Sequence, residues 1–282
     1  MERYIWKARG RNGQDAVRLL CQVCLVAVVL LLTACGAVGP VPSATPVPTP
    51  TPVPTATQVP AWDYVALGDS GVSWSGYKGN QTYPFYYAGH VKADLGIEVH
   101  VLKRAVTGYT STDLLDDILN NEQWREDLRQ AEMVTLSIGF NDATPSLHAY
   151  EKQKCGGEDN LDCMREIYET LKSNYDAMLD ELLELCAPGT IIRVVTLYHG
   201  DLAQWGYPNS APLYRTLNEQ ILASASERTI PVARADVAFN GPEGGQTPDS
   251  EYIQPNSIHT TPLGAAVIGN LLRDLGYEVT VP

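Results

Sequence analysis

Basic residues are scarce in this chain: 20 Lys and Arg stand against 33 Asp and Glu, a formal charge of −13. That balance excludes a surface built to neutralise nucleic-acid phosphates, and it disfavours electrostatic adhesion to anionic lipid. Long apolar runs are missing too. The conspicuous one, Leu19 to Leu32, is about 14 residues, short of the roughly 20 that a bilayer-spanning helix needs. Cysteines number six, three of them in the first 35 residues. Cys21 and Cys24 form a CxxC pair, but inside the apolar stretch, where neither redox nor metal chemistry is expected. No histidine stands at ligand spacing near Cys155, Cys163 or Cys186, so a zinc site is not expected either. There is no internal repeat, which removes solenoids and propellers.

What is present begins with an export signal. Arg3, Lys7, Arg9, Arg11 and Arg18 precede the short apolar run, which ends in Leu32-Thr33-Ala34-Cys35-Gly36. This arrangement resembles a bacterial lipobox, in which the cysteine is acylated and becomes the new N-terminus. Residues 1–35 are therefore expected to be a lipoprotein signal peptide, with Cys35 as the lipid attachment site. Removing five basic and two acidic residues takes the remaining chain from −13 to −16. Residues 36–60 are a Pro/Thr-rich linker whose repeated Thr-Pro and Val-Pro pairs favour polyproline II and offer no apolar face. At about 3.1 Å per residue such a stalk spans roughly 75 Å when extended. The expected address is extracytoplasmic, with the domain held on the bacterial cell membrane by its anchor.

Residues 61–282 suit one domain with a substantial core. Strand-like runs at Trp62–Leu67, Glu98–Leu102, Met133–Ile138, Ile191–Leu197 and Ile230–Ala235 alternate with helical ones. The helices are expected at Tyr83–Leu95, Ser111–Leu119 (capped by Ser111 or Thr112), Leu161–Leu185, Leu213–Ala225 and Leu263–Leu275. Short apolar strands separated by helices indicate an α/β fold, a five-stranded parallel sheet covered on both faces. Cys155 and Cys163 flank a polar loop and are the first choice for a disulfide, while Cys186 is expected to be a buried thiol.

In such sheets the sites form beyond the carboxyl ends of the strands. Three segments stand there: Gly68-Asp69-Ser70, Ala105-Val106-Thr107-Gly108 and Gly139-Phe140-Asn141-Asp142. A serine at such a turn can expose its hydroxyl, but it needs a base within reach and donors aimed at the developing oxyanion. His259, just before the last helix, is the candidate base. Ser70 N–H, Gly108 N–H and the Asn141 amide are the candidate donors. His90, His100, His148 and His199 are expected at the surface or in packing, and Asp142 as a cap or a loop tie. Trp74, Tyr77 and Tyr83 either line a pocket or pack a loop.

Together these segments resemble the blocks of the SGNH (GDSL-like) hydrolase superfamily. Val65-Ala66-Leu67-Gly68-Asp69-Ser70 resembles the first block, Ala105 to Gly108 the second, Gly139 to Asp142 the third, and Ile258-His259 with Gly264 the last. The resemblance covers Val65 to Leu275. It implies a three-layer α/β/α flavodoxin-like fold and a serine esterase that works through an acyl-enzyme, with no cofactor. It also implies an ester of a small molecule, glycan or lipid as substrate. The remaining expectations are a monomer, no nucleic-acid partner, and contact with the membrane only through the anchor. The excursion from Cys155 to Cys163 resembles disulfide-bearing loops of some relatives. One position departs from the pattern. The family usually carries an acid three residues before the histidine, and here that residue is Asn256. Asn256 can accept from the imidazole without supplying charge, and Asp236 or Asp249 are alternative partners. The departure keeps open a second reading, a catalytically impaired envelope- or carbohydrate-binding module on the same fold.

Overall fold

The computed structural model describes residues 61–73, 81–255 and 257–281. The expected signal peptide with Cys35, the linker, Trp74, Tyr77 and Asn256 lie outside the described residues. Strands β1 (Ala61–Gly68), β2 (Glu98–Ala105), β3 (Met133–Ser137), β4 (Ile191–Val195) and β5 (Val232–Ala233) form one parallel sheet in the order β2-β1-β3-β4-β5. The helices are α1 (Ser70–Ser73), α2 (Tyr83–Leu95), α3 (Ser111–Asn120), α4 (Glu122–Gln130), α5 (Phe140–Glu151), α6 (Asp162–Leu185), α7 (Ala211–Glu227), α8 (Ala235–Asn240) and α9 (Pro262–Asp274).

Side-chain alternation along β1 builds the layers. Val65 and Leu67 enter a core shared with α3 to α7, whereas Tyr64 and Ala66 enter a second core shared with α1, α2, α8 and α9. Because both faces are covered, Tyr64 to Gly68 are all buried. This is the expected three-layer α/β/α flavodoxin-like fold. Its strand order reverses at β1, which has β2 on one side and β3 on the other. The crevice outside the carboxyl ends of β1 and β3 is therefore the place for a site.

Several boundaries differ from the sequence reading. β5 is two residues rather than six, since it is an edge strand entered through Pro231, which has no N–H for a ladder, and left at once by α8. α3 is capped by Thr110, not Ser111 or Thr112, and forms a capping box with Asp113. Ser111 is occupied elsewhere: its N–H and hydroxyl both reach the Asp142 carboxylate. α4, α5 and α8 lie outside the helices expected from the sequence. α4 buries only Trp124 and Leu128, and α5 contains Pro145.

Cys155 and Cys163 are joined as a disulfide, with their Cα atoms 4.9 Å apart, and Cys186 is a buried thiol whose pKa burial pushes up to about 12. Cys163 N–H also donates to Cys155 O at 2.9 Å, and Cys155 N–H to Asn160 Oδ1 at 2.9 Å, so the native loop is held even without the bridge. Opening it should act mainly through the unfolded chain. Replacing both cysteines by serine is expected to lower stability by about 2–3 kcal/mol, read from urea denaturation midpoints at constant slope. An unchanged midpoint would remove any stabilising role for the bridge.

Candidate active site

The site starts where β1 ends. Gly68 is in register with Ala105 on one side and Ser137 on the other. A Cβ on Gly68 would stand 2.3 Å from Ser137 O, so only glycine lets the two strands close at this point. The chain then turns straight into α1. Asp69 accepts the Gly71 N–H at 2.8 Å through its side chain and the Ser73 N–H at 2.9 Å through its carbonyl, which fixes the turn carrying Ser70. Asp69 and Ser70 are both buried.

The segment after β2 is tied to that turn. Val106 N–H donates to Gly68 O at 3.2 Å, and the hydroxyls of Thr107 and Ser73 are 3.3 Å apart. Tyr109 N–H closes a turn onto Val106 O at 3.2 Å, and inside it Gly108 adopts φ +87°. Nothing lies within 4 Å of where its Cβ would be, so the backbone here is open to an approaching group.

Asn141, in the first turn of α5, joins the first and second segments. Its amide donates to Tyr109 O at 2.8 Å and to Asp69 Oδ2 at 3.3 Å. Both amide hydrogens thus have acceptors. Donation to an oxyanion requires the longer, weaker bond to Asp69 to be exchanged for it. Burial raises the Asp69 pKa to about 6, opposed by the Gly71 N–H and reinforced by nearby Asp142. Asp142 is the expected tie: it receives the Ser111 N–H at 2.9 and 3.0 Å and so locks α5 to α3.

His259 comes from the loop before α9. That loop is closed by an antiparallel bridge between Ile253 and Thr260, by Gln254 N–H on His259 O at 3.0 Å, and by Gln254 Nε2 on Thr260 O at 2.9 Å. Gly264 lets α9 start against it, since a Cβ there would meet Tyr252 O at 2.1 Å. The Nδ1 atom of His259 lies 3.0 Å from Ser257 Oγ, and burial lowers the imidazole pKa below its ordinary 6.5.

The Ser70 turn and the His259 loop meet around a cavity of about 40 Å³, whose lining includes neither Gly108 nor Asn141. Asp69 and Gly71, the neighbours of Ser70, form one wall; Ser137, Phe140 and Thr196 to Tyr198 form others; Ile258 and His259 complete it. The carboxyl ends of β1, β3 and β4 and the last loop therefore converge on one point. Asp236, a possible partner of the base, is engaged elsewhere: it is paired with Arg234 at 2.7 Å and accepts the Thr196 hydroxyl at 2.7 Å. Asp249 accepts Glu251 N–H at 2.9 Å and lines a separate cavity beside Ser257. His199 is a packing residue, its ring nitrogens 2.8 and 3.0 Å from the carbonyls of Gly200 and Gly244. Besides Ser111 as the partner of Asp142, two features escaped the sequence reading, the Asp69–Asn141 bond and the Ser257 hydroxyl at Nδ1. Only the second had a local signal, a serine two residues before a histidine in a turn.

Residues 66–267 match the model of the GDSL-like Lipase/Acylhydrolase family. The spore germination lipase LipC of Bacillus licheniformis is 24% identical over 223 residues, covering 76% of this chain and 96% of that protein. Among solved structures, the lipase Lip_vut3 from a goat rumen metagenome superposes with TM-score 0.62 at 24% identity, over 77% of this chain and 98% of that one. A lipase/acylhydrolase from Enterococcus faecalis superposes with TM-score 0.53 at 17% identity, over 76% and 95%. An acetyl-xylooligosaccharide esterase of Geobacillus gives 0.52 at 19% identity, over 78% and 96%.

Proposed function

The chain belongs to the GDSL-like lipase/acylhydrolase family, and we propose that it is an extracytoplasmic, lipid-anchored serine esterase that cleaves carboxylic esters through an acyl-enzyme on Ser70. The observation that carries this reading is the convergence of the Ser70 turn and His259 on one small cavity at the reversal of strand order.

In the proposed cycle, Ser70 Oγ attacks the ester carbonyl while His259 Nε2 takes its proton. The C=O electron pair moves onto oxygen, where the N–H groups of Ser70 and Gly108 and the Asn141 amide receive it. Asn141 makes this bond by releasing Asp69, which its 3.3 Å separation makes inexpensive. The intermediate collapses, the C–O bond to the alcohol breaks, and His259 returns the proton to the leaving oxygen. Water, deprotonated by the same imidazole, attacks the acyl carbon; the bond to Ser70 Oγ breaks, His259 returns the proton to Oγ, and the acid is released. Neutral His259 is the form this requires, and burial favours it.

Incubating the protein with p-nitrophenyl acetate, butyrate and a long-chain ester, and trapping it with a phosphonate ester, tests the reading. Turnover and a phosphonylated Ser70 peptide are the expected results. The impaired-module reading, which the Asn256 departure favours, expects neither. Anchoring has its own test. Cys35→Ala is expected to move the protein out of the membrane fraction or leave an uncleaved precursor, and mass spectrometry of the wild type should find lipid on an N-terminal Cys35. Unmodified mature protein starting elsewhere would remove the anchor from the proposal.

A further inference from the structure

We propose that Ser257 is the positioning residue of the catalytic base: its hydroxyl accepts Nδ1–H of His259 and so keeps the Nε2 lone pair available to the nucleophile. The catalytic consequence rests on the esterase reading; the hydrogen-bond arrangement does not.

Ser257 Oγ meets two nitrogens of one residue, the backbone N of His259 at 3.0 Å and its Nδ1 at 3.0 Å. A hydroxyl has one proton to donate and two lone pairs to accept with. The backbone N–H of His259 can only donate, so one lone pair is taken. At Nδ1 two arrangements remain. In the first, Oγ–H donates to a bare Nδ1, and the ring proton sits on Nε2, where it blocks proton abstraction. In the second, Nδ1–H donates to the other lone pair, and Oγ–H points elsewhere.

The surroundings favour the second arrangement. Ser257 lines a cavity of about 320 Å³ together with Asp201, Asp249, Gln204 and Gln254, so its proton has carboxylates and room for water on that side. Asp201 and Asp249 each accept one backbone N–H, at 3.2 and 2.9 Å, through a single oxygen, Oδ1 in both cases. The second arrangement also survives the reaction unchanged. When His259 becomes imidazolium, both ring nitrogens carry protons, and an Oγ already accepting at Nδ1 needs no rearrangement, whereas an Oγ donating there would have to rotate.

The hydroxyl is also held in place. Ser257 N–H donates to Gln254 O at 3.1 Å, and the loop around it is bridged through Ile253 and Thr260. On its other side, Gly200 packs so closely that a Cβ there would stand 3.1 Å from Ser257 O. Neither aspartate considered from the sequence does this work directly: Asp236 is paired with Arg234, and Asp249 faces the cavity behind Ser257. A neutral oxygen in place of a carboxylate orients the ring and fixes its tautomer without adding charge. That agrees with an imidazole whose pKa burial lowers, in a cavity whose other titratable groups are Asp69 and Tyr198.

The test has two readouts on the full-length protein in detergent. Imidazole ¹⁵N–¹H correlation spectra, recorded well above the His259 titration, should show the Nδ1–H tautomer in wild type and Ser257→Thr, and its loss in Ser257→Ala. Steady-state kinetics on p-nitrophenyl acetate should show kcat of Ser257→Ala lower by roughly 10- to 100-fold, the worth of one hydrogen bond to a charged group, with KM little changed. Ser257→Thr, which keeps the hydroxyl, should retain most of kcat. An Nε2–H tautomer in the wild type, or a kcat of Ser257→Ala equal to wild type, overturns the inference. Failure of the esterase reading looks different: wild type and Ser70→Ala then share one background rate, and the tautomer measurement still decides the role of Ser257.

Discussion

Ser70→Ala brings the hydrolysis of p-nitrophenyl acetate down to the buffer background, with the fold and the cavity unchanged. The expected loss is at least on the order of 10⁴-fold, less than the roughly 10⁶-fold seen when a full serine triad loses its nucleophile, because here the base lacks its usual acid. Asn141→Ala is the companion variant. Removing one oxyanion donor costs about 10²- to 10³-fold in kcat. Since Asn141 also bonds Tyr109 O and Asp69, its removal loosens the join between α5 and the segment after β2, and the upper end of that range is expected. The same assays give the acid limb. Activity needs unprotonated His259, so kcat/KM should be level near neutrality and fall only below pH 6.5, as burial displaces the imidazole downward. Asp69 lines the same cavity and titrates at about 6, so the limb should be broader than a single ionisation. A Ser70→Ala protein that hydrolyses the ester as fast as wild type would falsify the nucleophile assignment.

Much of this candidate site could be read along the chain because most of its proposed elements are short segments at the end of a strand. Gly68-Asp69-Ser70 and Gly139-Phe140-Asn141-Asp142 carry their geometry locally: a glycine where strands close or a helix begins, then a polar side chain in the first turn. The core was legible for a similar reason. β1 and β3 are largely apolar and buried on both faces, as strands of a covered parallel sheet are. What escaped lies in contacts between distant segments. Asn141 meets Asp69 across 72 residues, and Ser111 meets Asp142 across 31. Neither pairing leaves a local pattern, and the second explains why the cap of α3 fell to Thr110. α4 hid because seven of its nine residues are polar or charged and two apolar side chains suffice to dock it. Ser257 is inconspicuous in the sequence for a different reason. The family pattern draws attention to the acid position at Asn256, one residue away, and a hydroxyl two residues before the base reads as an ordinary turn residue.

Asn256→Asp should raise kcat by about 10- to 1000-fold, a fraction of the roughly 10⁴-fold that separates Asp from Asn at the matching place in a serine protease. The sign follows from charge. The imidazolium formed as Ser70 is deprotonated gains a carboxylate three residues away in sequence, and His259 itself is half-buried, where such an interaction is only partly screened. The new charge should also lift the His259 pKa, moving the acid limb of kcat/KM to higher pH, a shift that a merely better-packed loop does not produce. Ser257 sharpens the outcome. If the introduced carboxylate takes Nδ1–H for itself, the hydroxyl becomes dispensable, and Ser257→Ala should cost far less in the Asn256→Asp background than alone. If the carboxylate acts through space while Ser257 keeps Nδ1, the two effects should multiply independently. A third outcome points to Asp249 acting as the acid from the cavity behind Ser257: Asn256→Asp then changes little, and Asp249→Asn costs as much as losing a triad acid. Kinetics of the four Asn256 and Ser257 combinations, with Asp249→Asn beside them, separate the three. Equal rates for wild type, Ser70→Ala and Asn256→Asp would leave the fold without its enzyme.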